Sequence, residues 1–227
     1  MIYTNMTKYH ISHLCLALMM LLTGMSLVAC SDNSDDPNND LEFTTNWQAR
    51  NTQYYDSIFA VAKTEIAHAK ATYGDQWEAN CDWRVLPSYS KPKGGPSHDS
   101  ICVNIIERGE ASGISPLYLD SVKVNYMGHL IPTVSYPEGR VFDHSGIYEN
   151  ESHIFSPLYS VPARFSVSNL VEGFTTALLY MHVGDRWKVY IPQELGYMSA
   201  SQGVLPAYST LIFDLQLKGI ARRGESF

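Results

Sequence analysis

The second half of this chain alternates apolar and polar side chains in several short runs, and one apolar helix interrupts them. In Ser121–Met127, Val122, Val124 and Tyr126 fall on one face, with Ser121, Lys123 and Asn125 on the other. In Arg186–Ile191, Trp187, Val189 and Ile191 alternate with Arg186, Lys188 and Tyr190, and Pro192 ends the run. In Leu211–Leu217, Leu211, Phe213, Leu215 and Leu217 alternate with Ile212, Asp214 and Gln216, and Ile101–Glu107 is a further strand candidate. A period of two means a strand with one buried face. Between these runs Val171, Phe174, Leu178 and Met181 share one helical face, and Gly184 lies just past its end. Half-buried antiparallel strands with one packed helix predict an α+β layer architecture.

Length and composition bound the rest. At 227 residues the chain suits one ordinary domain plus extensions. With 45% hydrophobic and 17% charged residues it is neither collagen-like nor wholly disordered. The formal net charge is −7 and basic residues form no run, which argues against a nucleic-acid partner. No apolar stretch reaches the roughly 18–20 residues of a transmembrane helix.

The N-terminus reads as an address. Lys8 precedes the apolar run Leu14–Leu22, and Leu27-Val28-Ala29-Cys30 follows. A basic region, a short apolar core and small residues before a cleavage point describe a secretory signal over residues 1–29. A cysteine after Leu-Val-Ala resembles the lipobox of bacterial lipoproteins, which makes Cys30 the expected lipidation site and the anchor to a membrane. The competing reading is a short buried helix with an incidental cysteine. Residues 30–40 continue into an acidic run, Ser31–Asp40, which cannot bury a core and reads as a tether. The resemblance implies a lipid-anchored protein of the Gram-negative cell envelope, and Ser31 favours the outer membrane. Cys15 leaves with the leader, so Cys81 and Cys102 remain as a disulfide or as two separate buried thiols. Neither has metal-ligand spacing, and no metal is expected.

Residues 41–75 read as a helical arm. Thr45 and Gln48 have the spacing of a capping box. Trp47, Tyr54, Ile58, Ala62, Ile66, Ala69 and Tyr73 recur at helical steps, and Gly74 sits where a helix would stop. This arm either packs on the following domain or forms the seam of a homodimer. Residues 76–100 read as a linker, since Ser88–Asp99 is rich in Pro, Gly and Ser.

Residues 101–222 resemble the FKBP-type peptidyl-prolyl isomerases. The stretches that carry the resemblance are Asp120–Gly128, Gly139–Ser145, Phe165-Ser166-Val167 with Leu170–Phe174, Met181–Asp185, Ile191-Pro192 with Leu195-Gly196-Tyr197, and Leu205-Pro206 with Ser209–Asp214. They occur in family order, and the helix with its following strand is most similar to the secreted, macrophage-infectivity-potentiator-like branch. The resemblance implies a five-stranded antiparallel sheet wrapped around one short helix, with an apolar trough between them, no cofactor, and proline-containing polypeptide clients. Carried over by motif, Tyr126, Phe142, Asp143, Val171, Phe174, Tyr197 and Phe213 would be the catalytic residues, and Leu170 and Leu205 would bind substrate. Phe142, Phe174 and Phe213 would form walls and floor. The Tyr197 hydroxyl and the Val171 N–H would be donors to a carbonyl, and Asp143 would orient Tyr126.

The sequence departs from the family pattern in three places. Phe174 stands where the family usually has Trp. Met198 replaces the glycine that usually follows the pocket tyrosine, and its side chain would alter the turn that aims Tyr197. The connections Leu130–Glu138 and Gly146–Val161 are long, the second carrying Tyr148, Phe155 and Tyr159, and Ala163 lies near a position that many members give to a pocket aromatic. The function implied is isomerisation of X–Pro bonds in exported or envelope proteins. The alternative is a non-catalytic lipoprotein of the same fold that binds a peptide, a glycan or a partner protein.

Overall fold

The computed structural model describes residues 41–110, 113–146 and 160–227. The leader 1–29, Cys30, the tether to residue 40, and Tyr148, Phe155 and Tyr159 of the long second loop lie outside the described residues.

Seven strands form one antiparallel sheet. They are β1 Trp83–Pro87, β2 Ser100–Glu107, β3 Ser121–His129, β4 Val141–His144, β5 Ala163–Ser166, β6 Arg186–Ile191 and β7 Leu211–Ala221. Their order is β1-β2-β6-β7-β3-β4, and β5 also pairs with β3. The α+β class is as the alternation predicts. The strand count exceeds the five implied by resemblance. β4 and β5 share one edge of β3, pairing with Met127–His129 and Ser121–Val124 respectively. The extra strand β1 lies inside the stretch read as linker. Its register sets Val85 beside Cys102 and Trp83 beside Asn104, and Trp83 stacks on Tyr190 at 6.1 Å.

One face of the sheet is closed by the short helix α3, Glu172–Tyr180. Val103, Val189 and Phe213 lie side by side across β2, β6 and β7 and point to this face. Helix and sheet approach closely at Gly173, where an added Cβ would collide with the Ile191 side chain. The Thr175 hydroxyl donates to the Val167 carbonyl at 2.7 Å inside the helix–sheet layer. Ser88 and Ser90, just past β1, both donate to the Glu172 carboxylate in the first turn of α3.

The opposite face carries Cys102, Tyr190 and Ile212 in register. Across it lies the long helix α2, Trp47–Tyr73, preceded by a single helical turn, α1, Leu41–Thr44. At 27 residues, α2 is about 40 Å long. Its bounds match the periodicity, and Gly74 closes it at φ 54° with its N–H on the Lys70 carbonyl. One sequence expectation for this helix needs correction. Its N-cap is Asn46 in the left-handed region, φ 52°, with no side-chain capping bond, and not Thr45. Thr45 belongs to the turn before, where its N–H donates to the Leu41 carbonyl at 3.0 Å. The fully buried seam is Trp47, Asn51, Tyr55, Ala62 and Ala69; Tyr55 and the polar Asn51 join the expected positions, while the expected Tyr54 and Ile58 pack half-buried against the same core. Among the two readings of the arm, the contacts seen are with its own domain: Trp47, Tyr55 and Ala62 belong to the same hydrophobic core as the strands.

The loop Leu130–Glu138 docks on the start of this arm. Leu130 and Ile131 are buried. Tyr136 lies 5.8 Å from the Phe43 ring, Arg140 stands over Phe43 at 5.4 Å, and the Ser135 N–H donates to the Glu42 carboxylate at 3.1 Å. Cys81 and Cys102 are two buried free thiols. No helix among the described residues is long and apolar enough to cross a membrane.

Candidate functional site

The site residues expected from sequence converge on the face closed by α3. Tyr126 and Phe213 come from neighbouring strands, and Phe174 from the first turns of the helix. Their rings are buried and meet edge to face: Phe174 and Phe213 at 4.9 Å and 86°, Tyr126 and Phe174 at 6.2 Å and 89°. Edge-to-face contacts of this kind set the positive rim of one ring against the negative face of the next. Phe142 on β4 extends the cluster, 5.4 Å from Phe213 and 80° to it. Gly128 makes this possible. A Cβ there would stand 2.5 Å from the Phe142 ring and 2.8 Å from Phe213, so the strand must present bare backbone between the two aromatics.

Phe165 completes the ring of aromatics and was not among the residues expected to line the trough. It sits on β5, 5.6 Å from Tyr126 and 6.5 Å from Phe174. Phe165 lies two residues after Ala163, on the same face of a four-residue strand. The pairing Val122 with Phe165 places it there. The usable signal was the parity of Phe165 within Ala163–Ser166, which is too short a run for periodicity to settle.

Polar groups are sparse and distinct in role. The Tyr126 hydroxyl donates to Oδ2 of Asp143 at 2.9 Å. The other oxygen of Asp143 accepts the His144 N–H at 2.9 Å. Burial first, and the Asp143 charge second, hold the Tyr126 hydroxyl in its neutral form well above the usual phenol range. Both oxygens of Asp143 are thus engaged in holding the β3–β4 corner, which suits an orienting residue and not a proton acceptor. Tyr197 is half-buried against the same core. Burial, then the neighbouring Asp143 carboxylate, raise its pKa too, so its hydroxyl keeps its proton. It has no hydrogen-bond partner among the described residues. The same is true of the Val171 N–H, which opens α3 as its N-cap, with φ −60° and ψ 149°. Its carbonyl by contrast accepts the first helical bond, from Thr175 at 3.0 Å.

Leu170 is half-buried against the core beside Val171, and Leu205 is buried within it, tied to Gln202 by two backbone hydrogen bonds of 2.9 and 3.0 Å. Met198 departs from expectation. It adopts the glycine-like left-handed conformation, φ 49°, and the residue is 58% exposed. Its N–H donates to the Gln193 carbonyl at 3.1 Å. The turn is therefore kept, and the methionine side chain leaves it toward solvent. No group of three His, Cys, Asp or Glu side chains among the described residues could hold a metal ion.

What this arrangement offers chemically is an apolar floor of rings, two unpaired N–H or O–H donors at its edge, and no charged group within the ring cluster itself. Such a site can strip water from a planar amide and receive its carbonyl oxygen.

Residues 115–218 match the family described as FKBP-type peptidyl-prolyl cis-trans isomerase. The chain is 35% identical over 136 residues to the FKBP-type 22 kDa peptidyl-prolyl cis-trans isomerase of Escherichia coli, covering 59% of this chain and 57% of that protein. It is 33% identical over 174 residues to the outer membrane protein MIP of Legionella longbeachae, covering 75% of this chain and 66% of that one. It is 32% identical over 112 residues to the macrophage infectivity potentiator of Trypanosoma cruzi, covering 49% and 48%. The chain spans about half the length of the first of these curated relatives.

Proposed function

We propose that this chain, whose residues 115–218 belong to the FKBP-type peptidyl-prolyl cis-trans isomerase family, catalyses rotation about X–Pro bonds of polypeptides in the trough between α3 and the sheet. The observation that carries the reading is the pair of unpaired donors, Tyr197 Oη and Val171 N–H, beside the cluster Tyr126, Phe142, Phe174 and Phe213. An X–Pro bond turns over a barrier of about 18–20 kcal/mol, because twisting breaks amide resonance. The twisted amide is less polar than the planar one, so an apolar enclosure disfavours the ground state more than the transition state. Phe142, Phe174 and Phe213 would enclose the proline ring. Tyr197 and Val171 would donate to a carbonyl of the substrate and hold it still while the bond turns. Asp143 would fix Tyr126 and the corner that bears Phe142. Leu170 and Leu205 would back the floor. No nucleophile or proton transfer is called for.

The placement of this activity follows from the N-terminus. Cys30 would carry the lipid, residues 30–40 the tether, and the domain would act on exported proteins at the Gram-negative envelope, on the outer-membrane side by the Ser31 signal. The name of the Legionella longbeachae relative supports an envelope setting. The arm would serve as part of the folded domain, since its apolar seam is already covered by its own sheet.

The test is relaxation of a short X–Pro peptide from cis to trans in the presence of the purified chain. Acceleration that Phe213→Ala abolishes, and that Tyr197→Phe reduces, supports the reading. A folded protein without acceleration refutes it and leaves a binding module of the same fold.

A further inference from the structure

His98 sits where three parts of the chain meet. It lies in a single 3-10 turn, Ser97–Asp99, that leads into β2. Its Nε2 stands 3.0 Å from Oδ1 of Asp56 on α2, and its Nδ1 stands 3.1 Å from Oε1 of Glu194. The Tyr55 ring meets it edge to face at 5.4 Å. Glu194 is in the short turn Gln193–Leu195, and Tyr197 follows two residues beyond that turn. The segment between them is stiff: the Gln193 carbonyl accepts the N–H groups of both Gly196 and Met198 at 3.1 Å, and Leu195 is fully buried. A shift at Glu194 is therefore passed to the backbone that bears Tyr197.

An imidazole with a carboxylate on each nitrogen settles its own protonation. A neutral ring has one N–H, so one of the two carboxylates would face a lone pair, whereas the imidazolium donates to both. The demand is greatest at Glu194. Its Oε2 is buried with no hydrogen-bond partner among the described residues. Its Oε1 otherwise receives only the neutral amide of Gln193, at 3.1 Å. Its Oε1 is therefore the oxygen through which His98 can hold the Glu194 turn, and an N–H on Nδ1 is needed for that link. The remaining titratable groups facing this corner are the Tyr55 hydroxyl, which donates to the Ser100 carbonyl, and the Cys102 thiol behind it, which donates to Tyr55. Burial keeps both of these neutral. Burial also works against charge on His98, but the Asp56 and Glu194 carboxylates outweigh it, so its pKa lies above the ordinary imidazole value.

The geometry points to His98 as a positioning residue for Tyr197: as an imidazolium it fastens the arm helix to the turn that sets the Tyr197 hydroxyl over the trough. This rests on the role given to Tyr197 in the proposed isomerase. Loss of the proton removes one of the two links and frees the turn from the arm, so the hydroxyl loses its fixed place. The effect belongs to catalytic geometry and not to substrate chemistry, since neither His98 nor Glu194 touches the aromatic cluster.

The experiment follows the His98 imidazole and the Tyr197 ring together by NMR of the full chain, with X–Pro isomerisation measured over the same pH series. The His98 Cε1–H signal is expected to titrate with a midpoint above that of a free histidine, about 6.5. Tyr197 ring signals are expected to move with that same midpoint, and kcat/KM to fall roughly threefold across it as pH rises. In Glu194→Gln, a change that keeps the side chain's size, the His98 midpoint drops, the Tyr197 ring stops following it, and kcat/KM is flat at the high-pH level. Tyr197 signals indifferent to the His98 titration in the unmodified chain overturn the inference, as does an unchanged pH profile in Glu194→Gln. Absence of isomerase activity would instead defeat the proposed function, while the coupling of the two rings would still decide whether His98 positions Tyr197.

Discussion

The two faces of the sheet handle polar atoms in opposite ways. On the arm face the polar groups at the start of α2 are engaged within the protein. Trp47 donates from Nε1 to the Ser209 hydroxyl at 2.9 Å. Asn51 donates to the Trp47 carbonyl at 2.8 Å and accepts the Thr210 N–H at 2.7 Å, while its own carbonyl accepts the Thr210 hydroxyl at 3.1 Å. Tyr55 donates to the Ser100 carbonyl. On the trough face the Tyr197 hydroxyl and the Val171 N–H belong to half-buried residues and have no partner among the described residues. Both faces are aromatic and largely buried, so hydrophobicity does not tell them apart. Satisfaction does. A polar group inside a buried seam must be paired within the protein, because leaving it unpaired costs free energy, whereas a half-buried donor at the rim of an apolar cluster is open to a ligand's acceptor. The arm face is a seam, and the trough face offers the free donors that the proposed site needs.

The largest test of this contrast is Phe213→Ala. Phe213 contacts Tyr126, Phe142 and Phe174, and is 5% exposed. It belongs to core and trough at once, so its removal is expected to cost about 3–5 kcal/mol in urea unfolding and to abolish isomerisation in the fraction that remains folded. Loss of stability with full activity in the folded protein would show that the rings are core and nothing more.

Next in size is Asn51→Ala on the other face. It strands the Thr210 N–H and leaves a small cavity, for an expected loss of about 2–3 kcal/mol. The folded protein should isomerise X–Pro peptides at the unaltered rate. A matching fall in activity would mean that the arm face and the trough are not separable.

That asparagine also shows where sequence reading stopped. Strands β2, β3, β6 and β7 and helix α3 were legible because each is long enough for its period to show. The bounds of α2 were legible as well. Its seam was legible at Trp47, Ala62 and Ala69 but not between Trp47 and Tyr55, where the buried position is polar and a search for apolar spacing steps over it. What identifies Asn51 is its set of partners 159 residues away in sequence, which no local pattern contains. Strands β4 and β5 have four residues each, too few for alternation to register, and with them went Phe165. β1 was hidden by the Pro-, Gly- and Ser-rich stretch that follows it. On the trough face the ring residues carried by family motif converge as a group, while the role of each one is a matter for substitution and kinetics.

Tyr197→Phe reverses the pattern of Asn51→Ala. Its hydroxyl has nothing to lose inside the protein, so unfolding should change by less than about 0.5 kcal/mol. Isomerisation should slow roughly tenfold, the worth of one donor made to the substrate as the bond turns. Slower isomerisation with an unchanged midpoint of unfolding places that hydroxyl in the site. A stability loss with unchanged kcat/KM would put it in the seam category after all.

The smallest effect is expected at Met198, and it separates backbone geometry from side-chain obstruction. Met198 holds φ 49°, a region in which a residue with a Cβ is strained by roughly 1–2 kcal/mol. Its side chain is largely in solvent, so there is little packing to lose. Met198→Gly removes the strain, and the greater freedom of glycine in the unfolded chain takes back part of the gain. The net expectation is a stabilisation of about 0.5–1 kcal/mol. Because the turn already has the conformation that glycine would give it, the Tyr197 hydroxyl should not move and kcat/KM should stay the same. A rise in kcat/KM on Met198→Gly would show that the methionine, although it points outward, holds the Tyr197 turn away from its best position, and that the trough of this chain is tuned below the activity its rings and donors allow.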